Sequence, residues 1–200
     1  MAVTNAYTTL ATLKTQLALS DTIDDAALER VITAVSREID RYCGRRFYTT
    51  AADETRYYAA QKSTALLLPD DLLSVTTLAT DGDGDRTYED TWAVADYDLR
   101  PDNAALNAEP YWEIAVTPGG LYRFPRGVEK GVKIVGKFGY CLTGSHPAEV
   151  EQACLIRCAQ MLGIGVAPFG QVGLGETGAV PVTFGTYRGL LDPYRRLAVG

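Results

Sequence analysis

The chain has 200 residues, of which 46% are hydrophobic and 22% charged. Those proportions suit one globular domain, or one domain carrying an insertion, and exclude wholesale disorder. The formal net charge of −6 excludes a protein that grips a phosphate backbone with its whole surface.

In chain order, Thr9 stands before Leu10-Ala11-Thr12-Leu13-Lys14-Thr15-Gln16-Leu17. Its hydroxyl can accept an orphan backbone N–H, so the sequence predicts a short capped helix with Leu10, Leu13 and Leu17 on one face. Ser20-Asp21 ends it. Asp24-Asp25 then supplies a cap and a first-turn carboxylate, which suits the positive end of the helix dipole. Leu28, Val31, Ile32, Val35, Ile39 and Tyr42 follow at three/four spacing, and Gly44 sits where a left-handed residue closes a helix. The pattern predicts a helix from Asp25 to Cys43.

From Arg46 to Tyr140 the helical period is lost. β-rich runs at Arg56–Ala59, Leu72–Leu78, Tyr88–Trp92, Tyr111–Val116 and Val132–Phe138 predict five strands. Turn clusters separate them at Pro69-Asp70-Asp71, Asp81–Asp85, Pro101-Asp102-Asn103, Pro118-Gly119-Gly120 and Arg126-Gly127. This reads as an inserted antiparallel sheet, a small barrel or sandwich. Pro147 fits the first turn of a third helix, with Ser145 or His146 as its cap. Val150, Ala153, Cys154, Arg157, Cys158, Met161 and Leu162 run along that helix, and Gly163 is expected to close it. Eight glycines between Gly163 and Gly189 make the next stretch costly to order. Leu190–Leu197 reads as a last short helix or turn. The expected fold class is α+β, a helical bundle with an inserted antiparallel β region and an extended C-terminal tail. Its parts are a helical core at 1–45 and 146–163, a β region at 46–145 and a docking tail at 164–200.

The motifs that carry chemistry elsewhere fail here on their context. Gly173-Leu174-Gly175-Glu176-Thr177-Gly178 has the G-x-G-x-x-G spacing, but Pro181 follows and no helical period begins, so no dinucleotide site is expected. Asp81-Gly82-Asp83-Gly84-Asp85 resembles the start of a calcium loop. The sixth and twelfth positions, however, are Arg86 and Trp92, where a glycine and a glutamate are needed. Cys154 and Cys158 lie four apart, and only Cys43, Cys141 and the single His146 could join them, so buried structural thiols are expected in place of a zinc site. Ser145 beside His146 does not make a nucleophile–base pair by adjacency. The residues therefore point to no enzyme, no cofactor and no metal. The longest aliphatic run, Ala65-Leu66-Leu67-Leu68, is too short for a membrane span. Met1–Asn5 lacks the basic and apolar regions of a secretory leader. Four cysteines are too sparse for a disulfide framework, so a reducing compartment is expected.

Two features suggest protein partners. Residues 81–109 hold nine acids and two bases, and residues 121–140 hold five bases and one acid. Opposite charges on one sheet region suit head-to-tail self-association, with Asp81, Asp83 and Asp85 of one copy near Lys130, Lys133 and Lys137 of the next. The second feature is the tail, whose apolar residues stand among glycines and can serve as anchors on another chain. The contact set expected there is Tyr187, Leu190, Leu191, Pro193, Tyr194, Arg195 and Arg196. Packing of this segment on its own helices is the alternative.

Several stretches also carry a resemblance. They are Tyr7-Thr8-Thr9-Leu10-Ala11-Thr12-Leu13-Lys14, Asp24 to Ile32, Ile39 to Phe47, and Leu66 to Val75, followed by Lys137-Phe138-Gly139-Tyr140, Pro147 to Leu162 and Asp192-Pro193-Tyr194-Arg195-Arg196. In their order and spacing they resemble the head–tail connector (adaptor, or head completion) proteins of long-tailed bacteriophages. The resemblance implies a structural virion protein, not an enzyme and without a cofactor. It implies a ring, dodecameric in that family, beneath the portal vertex and joined to the tail or a stopper, with the docking set above meeting the portal protein or a neighbouring copy. DNA would pass through without specific binding. The protein would be made in the host cytoplasm and end in the head–tail neck, away from any membrane. Competing readings are a monomeric ligand-binding module built on the tyrosine-rich sheet and a carboxylate-based hydrolase.

Overall fold

The computed structural model describes residues 4–20, 22, 24–166 and 186–196. The chain divides into two compact units, Met1–Arg45 with Gly144–Gly200, and Arg46–Thr143.

The first unit is helical. Helix α1 spans Leu10–Gln16, and the Thr9 hydroxyl accepts the Thr12 N–H at 3.1 Å as its cap. Helix α2 spans Asp25–Cys43 and ends at Gly44 with φ +65°, a conformation in which a side chain would be strained. Asp24 caps α2 through its backbone carbonyl, not its carboxylate, while Asp25 pairs with Lys14 of α1 at 2.7 Å. The face of α2 that packs inward is Leu28, Ile32, Val35, Ser36, Ile39 and Cys43; Val31 is only half-buried.

Helix α3 spans Ala148–Val166 and helix α4 Thr186–Leu191, followed by a 3-10 turn at Asp192–Tyr194. Two expected boundaries are corrected. Pro147 precedes α3 and its carbonyl accepts the Val150 N–H at 3.0 Å, so neither Ser145 nor His146 is the cap. The helix also runs through Gly163 to Val166, because a glycine weakens a helix without ending it. Val150, Ala153, Cys154, Leu155 and Cys158 of α3 are buried, with Met161 at the half-buried margin. Helix α3 packs against α1, α2 and α4. The last helix begins at Thr186, four residues before the expected start, which brings Tyr187 into the buried set.

The second unit is an antiparallel sheet of β1 (Glu54–Tyr58), β2 (Ala65–Thr80), β3 (Asp90–Thr91), β4 (Tyr97–Arg100), β5 (Tyr111–Val116) and β6 (Val132–Phe138). The order is β1-β6-β2-β5-β4, with β3 pairing the end of β2. Strand β2 has two long partners besides β3: its first half pairs β5 and its second half pairs β6, with Leu72 opposite both Tyr111 and Phe138. Pro69-Asp70-Asp71, read as a turn, lies inside β2. The register with β5 shifts between Leu67 and Leu72, and a bulge is where a strand tolerates a proline that lacks an N–H. Asp70 is held there by Arg56 at 3.0 Å and by the Tyr58 hydroxyl at 2.9 Å. The expected strand Tyr88–Trp92 shrinks to β3, and the four-residue β4 has no counterpart in the sequence reading. Along β6, Val132, Ile134 and Phe138 point into the core while Lys133, Val135 and Lys137 face outward. The core gathers Tyr58, Leu66, Leu68, Leu72, Leu78, Ile114, Ile134 and Phe138, and Trp92 stacks on Phe124 with centroids 4.6 Å apart. The architecture is α+β with an antiparallel sheet.

Candidate functional site

The two charged segments expected to meet between copies are neighbours within one chain. Strand β6 pairs the end of β2, so the loop that leaves β2 lies against the turn that enters β6. The Asp81 backbone N–H donates to Gly131 O at 2.9 Å, the Arg86 guanidinium donates to Glu129 O, and the Tyr88 hydroxyl donates to Lys130 O at 2.7 Å. Lys133 Nζ rests 4.9 Å from the Tyr88 ring centroid, and Lys137 pairs with Asp53 at 3.6 Å.

Asp81 itself is buried. Burial alone would raise its pKa, but the Gly84 and Arg86 backbone N–H groups, at 2.7 and 2.8 Å, outweigh that and hold it below its ordinary value. Asp81 thus organises its own loop and is withdrawn from any contact with a neighbour. Asp83, Asp85 and Lys130 remain exposed. The carboxylate oxygens of Asp81, Asp83 and Asp85 come within 4.8 Å of one another, but both Asp81 oxygens already accept backbone N–H groups of the turn.

The described end of the chain, residues 186–196, folds on the helices of its own unit. Tyr187 and Leu191 are buried, and the Tyr187 hydroxyl donates to Glu38 at 2.8 Å. The Tyr42 hydroxyl donates to Asp192, and the Arg196 N–H donates to Cys43 O at 2.8 Å. Tyr194 donates to Glu149 at 3.1 Å. Arg188 and Arg195 both stack near the Tyr42 ring, at 5.3 and 5.1 Å. Of the seven expected docking residues, Tyr187 and Leu191 therefore belong to the core. Pro193 and Arg195 are exposed, and Leu190, Tyr194 and Arg196 are half-buried. The G-x-G-x-x-G stretch at 173–178 lies outside the described residues.

All four cysteines are buried free thiols. Burial pushes Cys43 up to about 12 and Cys141 up to about 11. Cys154 lies 3.9 Å from the Ser36 hydroxyl in the contact between α2 and α3. The His146 ring packs on Tyr7 with centroids 5.5 Å apart, and Ser145 is exposed.

Sequence reasoning missed Asp96. It is buried, and its carboxylate accepts the Ala93 N–H at 3.0 Å and the Leu121 N–H at 3.1 Å, while its carbonyl accepts the Thr117 N–H at 3.1 Å. It staples the turn before β4 to the turn after β5. Val94 and Leu121, on those two turns, are 80% and 83% exposed. The available signal was Asp96 itself, an acid three residues after Ala93 at the entry to a short turn.

Residues 7–78 match the family described as "Phage gp6-like head-tail connector protein". The match covers α1, α2, β1 and most of β2, and so crosses from the helical unit into the sheet. No curated protein matches the chain. Among solved structures, the fold is similar to a chain from the neck of an empty gene transfer agent (GTA) particle computed with C6 symmetry. That likeness has 20% identity and a TM-score of 0.58, and covers 100% of this chain and 96% of the other. A chain from the neck of the native GTA particle, computed with C12 symmetry, gives 20% identity, a TM-score of 0.57 and the same coverage. A chain from the virion of the native gene transfer agent gives 17% identity and a TM-score of 0.57, again with 100% and 96% coverage. Residues 7–78 thus resemble a head–tail connector family, and the whole chain shares its fold with these neck and virion chains.

Proposed function

We propose that this chain is a ring-forming adaptor of a phage-like particle. It would sit beneath the portal vertex and join it to the tail or to a stopper, with the genome passing through its centre. The observation that carries this reading is the full-length fold likeness to neck chains from particles imaged with six- and twelve-fold symmetry. It extends beyond residues 7–78 to the sheet and to α3. A net charge of −6 suits a wall along which DNA moves without being held. The protein would be made in the host cytoplasm and incorporated into the virion neck. Contact with the portal is assigned to the accessible part of the C-terminal segment, Leu190, Pro193, Tyr194, Arg195 and Arg196. Asp83, Asp85 and Lys130 remain available for contacts between copies. The test is to mix the purified chain with a portal ring from the same particle and measure the mass of the product. The expected result is a closed ring of the chain on the portal. A chain that stays monomeric beside an intact portal would overturn the reading.

A further inference from the structure

The three most exposed large apolar side chains among the described residues, Val94, Leu106 and Leu121, lie at the two ends of one hairpin. That hairpin is β4 with β5, paired from Tyr97 and Val116 to Arg100 and Glu113. Val94 and Leu121 stand beyond the first pair, on the two turns that the Asp96 carboxylate staples together. Leu106, 86% exposed, stands beyond the last pair, in the loop from β4 to β5. At about 3.3 Å per residue the two ends are on the order of 10 Å apart, and they face away from each other along the strands.

The ends also carry opposite charge. Beside Leu121 the cations are Arg123, Arg126 and Lys62. Ser63 O accepts the Phe124 N–H and Thr64 O accepts the Val116 N–H, both at 2.9 Å, which holds the Lys62 loop against this end. Lys62 and Arg126 line one open cleft of about 340 Å³ with Gln61, Ser63 and Thr64, so no acid faces it. Both are exposed, and neither forms an ion pair among the described residues. Arg123 donates to Gly120 O and Tyr122 O of its own turn. At the other end Leu106 stands between the exposed acids Asp102 and Glu109, and residues 101–110 contain no base. Apolar groups this exposed, each set among charges of one sign, have the composition of a surface that meets a partner of the opposite sign.

We propose that these two ends meet between copies: the cationic end of one chain, with Leu121 and Val94, receives the Asp102–Glu109 loop of a second copy. Two different surfaces at opposite ends of one element make a heterologous contact, and such a contact closes into a ring when its rotation divides a full turn. Leu106 of the incoming loop covers Val94 and Leu121, and all three leave water together. Asp102 and Glu109 reach the Lys62 and Arg126 cleft, where the arginine fork can hold one carboxylate through two hydrogen bonds. The Asp96 staple fixes the receiving turns beforehand, so little order is lost on docking. The proposal rests on the ring-adaptor reading and gives it the contact between neighbouring copies.

The test uses two charge reversals, Lys62→Glu/Arg126→Glu at one end and Asp102→Lys/Glu109→Lys at the other. All four side chains are exposed, so each variant is expected to keep the thermal midpoint of the wild-type monomer. Ring formation is followed by mass measurement against protein concentration, with a portal ring present. Each variant alone is expected to need at least about tenfold more protein, a factor equal to roughly 1.4 kcal/mol. An equal mixture of the two is expected to assemble as wild type does, because acidic ends then meet cationic ends in alternation. Neutral versions, Lys62→Gln/Arg126→Gln and Asp102→Asn/Glu109→Gln, are expected to show a smaller loss, and they decide the matter if a reversal lowers the midpoint. Unchanged ring formation by the variants of either end would defeat the proposal, and so would a mixture of stable reversals that recovers nothing. A wild-type chain that never forms a ring removes the adaptor reading itself, and that failure is seen before any variant is made.

Discussion

Tyr7 and Asp40, 33 residues apart in sequence, are joined by a hydrogen bond from the Tyr7 hydroxyl to Asp40 Oδ1. The same tyrosine donates its backbone N–H to the Ser36 hydroxyl at 3.2 Å, one turn earlier on α2. Arg37 completes the clamp: it pairs with Asp40 at 3.1 Å and donates to Asn5 O at 2.6 Å. The segment before α1 is thus fixed to α2 by side chains and backbone together. Replacing Tyr7 with alanine removes a fully buried ring, and is expected to destabilise the chain by about 3–5 kcal/mol. Tyr7→Phe keeps the ring and loses only the hydrogen bond to a carboxylate, and is expected to cost about 1.5–3 kcal/mol. Urea unfolding of both variants checks the order; a Tyr7→Phe chain as stable as wild type would show that the hydroxyl contributes nothing.

Gly136 sits where β6 passes the irregular stretch of β2. A Cβ built there would stand 2.0 Å from the Ser74 carbonyl oxygen, a backbone atom that cannot swing aside. Gly136→Ala is therefore expected to disrupt the pairing of β2 and β6, with a loss of at least the roughly 1–3 kcal/mol typical of overpacking. Amide exchange should rise at Thr77 and Val135, which pair beside it. Unchanged exchange at those positions would mean that the strands simply separate a little at no cost.

The thiols set an alkaline limit on stability. Cys43 and Cys141 are raised by burial to about 12 and about 11 from a model-compound value of 9.0. Their folded-state pKa values lie above the unfolded ones, so their contribution is complete below pH 9 and is lost as the pH climbs through 11 and 12. The melting temperature is expected to fall across that window, and to fall less in a Cys43→Ala/Cys141→Ala chain measured against its own value at pH 8. At pH 8 a thiol reagent should label none of the four cysteines until denaturant is added. Rapid labelling of the native chain would show that these sites open.

The C-terminal segment separates a structural role from a binding role. Leu191 is buried beside Cys43, whose thiol lies 4.0 Å from the Leu191 carbonyl. Leu191→Ala is expected to lower subunit stability by about 2–5 kcal/mol. Arg195 is exposed and stacks on Tyr42, so Arg195→Glu should change stability by at most about 1 kcal/mol while weakening capture by an immobilised portal ring. If Arg195→Glu binds the portal as wild type does, the portal contact lies elsewhere.

The long helix was legible to the residue, from Asp25 to Cys43, because its apolar stripe, first-turn acid and closing glycine all signal the same element. Strands β5 and β6 were legible for a related reason: each is a compact apolar or alternating run between turn residues. Strand β2 was not, because a proline and two acids read locally as a turn, and only pairing with β5 and β6 makes them a bulge. The relation between the acidic and basic segments was hidden as well. Composition gives the charges, but the register of Ala79 with Lys133 decides that they meet inside one chain. Tyr187 and Leu191 were read as contacts for another chain, with packing on their own helices as the alternative, and the packing of α4 on α3 gives them to their own core.

The insertion of the sheet between α2 and α3 also orders events on the ribosome. Residues 46–143 contain every strand partner they need, so that unit can close while the rest of the chain is still being made. The helical unit has no such independence. Glu38 waits for Arg157, 119 residues downstream, and Cys43 waits for Leu191, 148 residues downstream. Helix α2 stays without these partners until residues 119 and 148 positions downstream are made. A nascent chain therefore cannot close the helical unit until Arg157 and Leu191 have been made.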